Sequence, residues 1–177
     1  MNSKIKIQEL TKISLCVAIL CVTSYLVIPV PFSPVVLGFQ TIMVNLIGLM
    51  FKPKEAGVCI LIYLLMGLIG LPVFSAGTGG PGKLFGPTGG FYFGFLVAVL
   101  LISFLKGKKI SFVRYCIVTL VAGVPAMHAF AILFMCIHNG WNVEAALVTV
   151  SLPFIIGDIV KCFMASTIGV ALNRVLR

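Results

Sequence analysis

The sequence predicts an all-α, polytopic membrane protein with six transmembrane helices and both termini in the cytoplasm. Two observations lead to this prediction. Of the 177 residues, 60% are hydrophobic and only 10% are charged, whereas about a quarter of the residues in a soluble domain carry a charge. The few charges also fall between long uncharged runs. A soluble fold of this composition could not cover its surface with polar groups, whereas a bilayer accommodates apolar side chains directly.

Six apolar segments account for most of the chain. A membrane-spanning helix needs about 20 apolar residues, and the segments reach or approach that length at 13–30, 34–51, 56–82, 84–105, 115–143 and 145–173. Only the last one contains charged residues, Asp158 and Lys161. Because little chain remains for a soluble domain, we predict one membrane domain over residues 1–177.

Proline and glycine set the limits of the predicted helices. Pro29, Pro31 and Pro34 end the first helix, because proline blocks helical continuation. The helices are predicted at residues 9–28, 38–51, 56–69, 90–105 and 115–137, and the sixth occupies the remainder with a bend or start at Pro153. Outer loops are expected at about 29–37, 70–90 and 138–144. The first helix follows several lysines, as in a signal peptide, but no small-residue cleavage site follows it, so we expect it to be retained.

The basic residues indicate which side of the membrane each loop faces. In the six-helix topology, Lys83 is the only basic loop residue on one side. The other side carries Lys4, Lys6, Lys12, Lys52, Lys54, Lys106, Lys108, Lys109, Arg114, Arg174 and Arg177. The positive-inside rule makes that side cytoplasmic. The net charge of +9 is therefore interpreted as a topology signal with contact to anionic lipid, and nucleic acid is not an expected partner.

The segment 70–90 contains eight glycines and three prolines, so a regular helix is not expected there. Its GTGGPGKL stretch matches most of a phosphate-binding loop. However, Leu84 stands where that motif needs Ser or Thr, and no buried strand precedes it. The glycine N–H groups could instead hold an anion inside a cavity, as could the helix start at Gly90. Interleaved aromatic residues argue against a solvated linker.

Asp158 and Lys161 are the strongest chemical signal. They lie three residues apart and share a helix face, and ionisable residues within a span usually line a cavity. A mutual ion pair with only a packing role is the alternative. His128 is interpreted as a hydrogen-bond partner between helices, while Gln40, Asn45 and Tyr63 could polarise a pocket or tie helices together.

Catalysis and metal binding have no support in the sequence. No nucleophile–base pair is visible, and the acidic residues are scattered. The six cysteines lie within apolar spans without metal-ligand spacing, so we interpret them as packing residues. No cofactor is predicted.

Three motifs resemble the BioY family, the biotin-specific substrate-binding components of energy-coupling-factor (ECF) importers. They are PVPFSP at 29–34 with Gln40 and Thr41 following, GLPVF at 70–74 with GPTGG at 86–90, and PFIIGDIVK at 153–161. The sequence departs from the family in two places. Ile156 stands where a second proline is common, and Ser14 with Ala18 keeps only the small-residue spacing of the family's Ala-x-x-x-Ala docking motif.

The resemblance implies biotin capture in an outward-facing pocket beneath the loops after the first and third helices, in the plasma membrane of a bacterium. It implies a transmembrane coupling (T) subunit and two ATP-binding subunits as partners. Asp158 would accept from the ureido N–H groups, Lys161 would donate to the ureido carbonyl, and Lys83 or glycine N–H groups would meet the tail carboxylate. The expected substrate-binding residues are Asp158, Lys161, Gln40, Phe74, Gly79, Gly80, Lys83, Phe91 and Tyr92.

Ser14 and Ala18, with Val22 on the same stripe of the first helix, are the expected docking face for the coupling subunit. Packing against the protein's own helices is the alternative for this stripe. For the function, the alternatives are a related importer subunit for another vitamin, an intramembrane enzyme, and a structural subunit that binds no small molecule.

Overall fold

Helices make up most of the chain in the computed structural model, which describes residues 3–29 and 35–175, with side chains from residue 7 onward. The helices are α1 (Ser3–Thr23), α2 (Gln40–Met50), α3 (Pro53–Leu68), α4 (Pro81–Leu84), α5 (Gly90–Leu105), α6 (Phe112–Val118), α7 (Val124–Asn139), α8 (Val143–Val150) and α9 (Ile155–Val175). Residues 30–34 of the predicted first outer loop and Arg177 lie outside the described residues, as do the side chains of Lys4 and Lys6.

Two short strands join α1 to α2, which the sequence did not predict. Strand β1 (Val27–Ile28) pairs antiparallel with β2 (Leu37–Gly38). The backbone N–H of Phe39 then donates to the carbonyl of Leu26 over 3.0 Å. This pairing fixes the start of α2, so that Gln40, its first residue, is buried.

The turn between α2 and α3 shows why α3 begins three residues earlier than predicted. Pro53 occupies its first position, where the missing N–H costs nothing. The Glu55 carboxylate accepts the backbone N–H of Lys52 over 3.1 Å, which satisfies a group that the helix leaves unpaired. Local capping therefore starts the helix within a charged turn.

Helix α5 occupies the centre of the fold, packed against α2, α3 and α7. Its contact with α7 depends on glycine. A Cβ atom on Gly94 would lie 2.7 Å from the Met127 Cα, and one on Gly90 would lie 2.2 Å from the Phe130 carbonyl oxygen. Because small residues let helix backbones approach closely, these two positions bring α7 beside the start of α5.

The predicted fifth helix contains an irregular turn. A single π-turn at Thr119–Gly123 joins α6 to α7, and Pro125 follows it. Proline has no N–H for the preceding turn of an α-helix, and a π-turn inserts one extra residue. Each residue of an α-helix advances it by about 100°, so the π-turn changes which side chains of α7 face the interior.

The predicted sixth helix is divided at Pro153, as expected. Helix α8 ends at Val150, a 3₁₀ turn covers Leu152–Phe154, and α9 starts at Ile155. The break ends one helix and starts another, so that Asp158 falls in the first turn of α9.

Two helical stretches among the described residues are long and apolar enough to cross a membrane, Phe112–Asn139 and Val143–Val175. Gln40–Met50 and Gly90–Leu105 are shorter apolar helices. Large apolar side chains are exposed along α1, α3, α7 and α9. We call the end of the helices that carries residues 70–90 the loop end, and the end that carries the α2–α3 and α5–α6 turns the basic end.

Candidate functional site

A cavity of about 140 Å³ lies at the loop end, beneath the segment that joins α3 to α5. Its walls come from the start of α2, the segment 75–88, α5, α7 and the start of α9. The lining residues are Val35, Val36, Gly38, Gln40, Thr41, Ser75, Ala76, Thr78, Lys83, Thr88, Phe91, Tyr92, Phe95, Met127, His128, Phe154, Asp158 and Lys161. Aromatic and aliphatic surface therefore surrounds a small set of polar groups, which is the usual composition of a small-molecule site.

Asp158 is the centre of a buried polar chain in this cavity. Its Oδ1 accepts from the Lys161 Nζ over 3.1 Å, and its Oδ2 lies 2.8 Å from the His128 Nε2. The His128 Nδ1 lies 3.0 Å from the Ser151 hydroxyl. A carboxylate only accepts hydrogen bonds, so Nε2 donates to it, and in the neutral ring Nδ1 then accepts from the hydroxyl of Ser151.

Two structural features bring these groups together. The break at Pro153 places Ser151 before α9 and Asp158 in its first turn. The π-turn sets the rotation of α7, which carries His128. All four side chains are less than 9% exposed as residues, and buried polar groups need such partners because an unpaired one costs free energy.

A second polar cluster ties the segment after α3 to the helices beneath it. The Gln40 amide donates to the Tyr63 hydroxyl over 2.6 Å and accepts from the Ser75 hydroxyl over 2.9 Å. The Tyr92 hydroxyl accepts from the backbone N–H of Ser75 over 3.1 Å. Ser75 lies in the 3₁₀ turn Ser75–Gly77, so this turn is held to α2 and α5 by side chains that also face the cavity.

The cavity wall contains six of the nine predicted binding residues: Gln40, Lys83, Phe91, Tyr92, Asp158 and Lys161. Lys83 is on α4, and burial lowers the pKa of its ammonium group. An ammonium in that setting is stabilised by an anion.

The other three predicted residues, Phe74, Gly79 and Gly80, lie behind the wall. Phe74 is fully buried and stacks on Tyr92, with ring centroids 4.3 Å apart. The N–H of Gly80, at φ 92°, donates to the Gly67 carbonyl over 2.7 Å, and a Cβ on Gly79 would lie 2.2 Å from the Leu71 carbonyl oxygen. These glycines pack the segment onto the end of α3, so their expected role as anion donors has no geometric support.

Several polar groups of the cavity were not predicted as binding residues. His128 forms the expected hydrogen bonds between helices, but it also lines the cavity. Thr41, Ser75, Thr78 and Thr88 line it as well. A sequence signal exists for His128, because the Gly123-Val124-Pro125 stretch disturbs helix geometry just before it, and π-turns are frequent at functional sites.

Ser14 and Ala18 are exposed on α1, as is Val22. The opposite face of α1 carries the buried Ile13 and Leu20, and it packs against α2 and α3. Within the described residues the stripe therefore has no internal helix against it, contrary to the alternative of internal packing.

Metal ligation finds no support within the described part of the chain, where no group of three His, Cys, Asp or Glu residues is suitably placed. All six cysteines are unpaired thiols.

Comparisons with known proteins agree on one family. The model of the BioY family matches residues 1–177. The biotin transporter BioY2 of Lactococcus lactis subsp. cremoris is 39% identical over 97% of this chain and 93% of its own length. The biotin transporter BioY of Thermotoga maritima is 30% identical over 94% of this chain and 96% of its own. A crystal structure of the S-component for biotin from an ECF-type ABC transporter superposes with a TM-score of 0.90 at 27% identity, covering 98% and 95% of the two chains.

Proposed function

The chain belongs to the BioY family, and from that premise we propose that it takes up biotin as the substrate-binding subunit of an ECF-type transporter. Its relatives are named as biotin transporters, so it acts in transport and is not an enzyme. The observation that carries the proposal is the buried Asp158–Lys161 pair in the wall of the loop-end cavity.

The ureido ring of biotin matches this pair chemically. The ring has two N–H donors and one carbonyl acceptor, while the pair has an acceptor, the Asp158 carboxylate, next to a donor, the Lys161 ammonium. Phe91 and Tyr92 offer apolar surface to the thioether ring and the tail, and Lys83 would meet the tail carboxylate. A site built in this way rejects analogues without the donor–acceptor pattern, because its own polar groups are then left unpaired.

Binding of labelled biotin to the purified chain tests the function. Biotin should bind, a diamine analogue that lacks the ureido carbonyl should bind much more weakly, and other labelled vitamins should not compete. Preferential binding of another vitamin would identify a related importer subunit instead. Absence of binding by any vitamin, with folded protein, would contradict the proposal.

The proposed topology has six spans and one domain over residues 1–177, with both termini in the cytoplasm of a bacterial cell. The exposed apolar side chains of α1, α3, α7 and α9 support it, as does the clustering of lysines at the basic end. The positive-inside rule places that end on the cytoplasmic side, so the loop-end cavity opens outward.

Cysteine labelling tests this topology. In a background without the six native cysteines, single cysteines at Lys108 and Asn139 should react with an impermeant reagent from opposite sides of the membrane. Both positions are exposed, one in the α5–α6 turn and one at the end of α7. Labelling of both from the same side would contradict the six-span arrangement.

The segment 70–90 is proposed to act as a lid. The 140 Å³ cavity is small beside the roughly 300–1,000 Å³ of typical ligand sites, so entry of biotin requires this segment to move. Opening would have to break contacts to the rest of the fold, including the Ser75–Gln40 hydrogen bond and a 2.7 Å bond from the Tyr25 hydroxyl to the Pro72 carbonyl.

Biotin should therefore slow amide hydrogen exchange within residues 70–90. At a hundredfold excess over Kd, ligand linkage contributes about 2.7 kcal/mol, which corresponds to about 100-fold slower exchange wherever opening requires biotin to leave. Amides of α6, at the basic end, provide the control and should change little. Equal hydrogen-exchange rates in the segment with and without biotin would contradict the lid proposal.

The proposed partners are a transmembrane coupling subunit and two ATP-binding subunits. The GTGGPGKL stretch supports this division of labour, because α4 starts at Pro81 and the Gly80 N–H is occupied by the end of α3. The stretch does not form a phosphate-binding loop, which supports assigning ATP hydrolysis to the proposed partner subunits.

A further inference from the structure

A second cavity lies at the basic end, and four lysines line it. Its volume is about 510 Å³, within the size range of ligand sites. Lys12 comes from α1, Lys52 from the α2–α3 turn, and Lys106 and Lys108 from the turn after α5. The fold therefore gathers lysines from three separate parts of the chain around one space.

Lys106 is the most deeply placed of these lysines. Its Nζ donates to the carbonyl oxygens of Leu49 and Phe51, over 2.9 and 2.5 Å, and so caps the end of α2. No described carboxylate lies within ion-pair distance of it. Because an ammonium has three donors, one remains for a ligand. Burial lowers the pKa of Lys106 to about 8, and the Glu55 carboxylate offsets this lowering only in part.

The acidic residues of this cavity do not neutralise it. Glu9 and Glu55 also line it, and the Glu55 carboxylate caps α3 at the Lys52 N–H. Four lysines against two glutamates leave a net positive charge. This charge is gathered around one cavity.

The rest of the lining is largely apolar and firmly built. Leu49, Met50, Phe51 and Ile110 contribute apolar surface. The Asn173 amide donates to the Leu49 carbonyl and to the Tyr115 hydroxyl, each over 3.1 Å. A ligand that fits this lining has an anionic group for the lysines and an adjoining apolar part.

We propose that the basic-end cavity binds the phosphate-bearing headgroup of an anionic phospholipid, with the phosphate among the lysines and the glycerol end against the apolar wall. In the proposed topology the cavity lies at the cytoplasmic ends of the helices, on the side of the lipid headgroups, and basic pockets between membrane helices bind such headgroups. An acidic peptide from a soluble segment would offer less apolar surface to this wall than a phospholipid does. The site is separate from the biotin cavity and does not depend on its function.

Neighbouring lysines in the same turns supply a matched control. Lys52 and Lys108 line the cavity, whereas Lys54 and Lys109 do not. The two double variants therefore remove the same charge from the same two turns: Lys52→Gln/Lys108→Gln inside the cavity and Lys54→Gln/Lys109→Gln outside it. All four lysines are exposed, so both variants should fold, as thermal unfolding would verify.

Native mass spectrometry tests the proposal by measuring lipid binding. The purified chain is examined in detergent with added phosphatidylglycerol or phosphatidylcholine. Phosphatidylglycerol should bind preferentially, and the Lys52/Lys108 variant should lose about tenfold or more of that affinity, because it lacks two of the four lysines that are proposed to hold the phosphate. The Lys54/Lys109 variant should retain it. Biotin binding should persist in both, so failure of the biotin proposal would be seen separately.

Three outcomes would overturn the proposal. Equal losses in the two double variants would mean diffuse attraction to the membrane surface. Full displacement of the lipid by inorganic phosphate at comparable concentration would identify a free-phosphate site. No preference for phosphatidylglycerol, together with loss of assembly with the coupling subunit only in the Lys52/Lys108 variant, would identify a protein interface.

Discussion

Lys161→Met is expected to weaken biotin binding by about 10- to 150-fold, because a hydrogen bond to a charged group contributes about 1.5–3 kcal/mol. Methionine keeps most of the side-chain volume and removes only the charge and the donors. Asp158→Asn should weaken binding at least as much, because it removes the carboxylate that is proposed to accept from the ureido N–H groups. Equilibrium binding of labelled biotin to the purified variants provides the measurement.

Stability must be measured beside affinity for these variants. Asp158 is bonded to both Lys161 and His128, so Asp158→Asn leaves a buried ammonium without its partner. Stranding one member of a buried pair costs about 3–5 kcal/mol. Thermal unfolding should therefore show a clear loss for Asp158→Asn, while Thr167→Ala, at an exposed position on the same helix, should leave both stability and biotin binding unchanged.

The double variant Asp158→Asn/Lys161→Met separates a binding role from a structural one. Removing both charges leaves neither stranded, so part of the stability lost in Asp158→Asn should return. If the pair contacts biotin, affinity should stay low in the double variant despite that recovery. If affinity returns together with stability, the pair only holds α9 in place, and the proposed ligand contacts are wrong.

The sequence was sufficient to predict this pair because only local spacing was needed. Residues three apart share a helix face whatever the rest of the fold does, and ionisable groups in a span rarely lack a cavity. The helical fold followed from composition in the same way. The confirmed break at Pro153 needed only the missing N–H of proline.

The partners of the pair could not be predicted, because they depend on helix rotation and on distant packing. His128 reaches Asp158 across 30 residues, on a helix whose rotation is set by the π-turn. Ser75 reaches Gln40 across 35 residues through a turn that no regular pattern predicts. The same limit applies to Gly80. The sequence predicts it as an anion donor, whereas in the structure its N–H donates to a carbonyl at the end of α3.

The exposed stripe of α1, which the sequence predicts as the docking face, leads to the second prediction with a large effect. Ala18 lies between Ser14 and Val22 on an exposed stripe of the helix, and it is small among large exposed neighbours such as Leu15. In lipid, helices associate through close packing of their backbones, which small residues permit. A tryptophan at position 18 would hold a partner helix several ångströms away and remove most of those contacts.

Ala18→Trp is therefore expected to abolish assembly with the coupling subunit. Biotin affinity should stay within about twofold of that of the unchanged chain, because most surface substitutions alter stability by under about 0.5 kcal/mol. Co-purification of the coexpressed subunits measures assembly, and labelled biotin measures binding. Val121→Trp is the control, because Val121 is also highly exposed but lies on the turn between α6 and α7. Normal assembly of Ala18→Trp would show that the coupling subunit docks elsewhere, whereas loss of biotin binding would show that the stripe supports this chain's own fold.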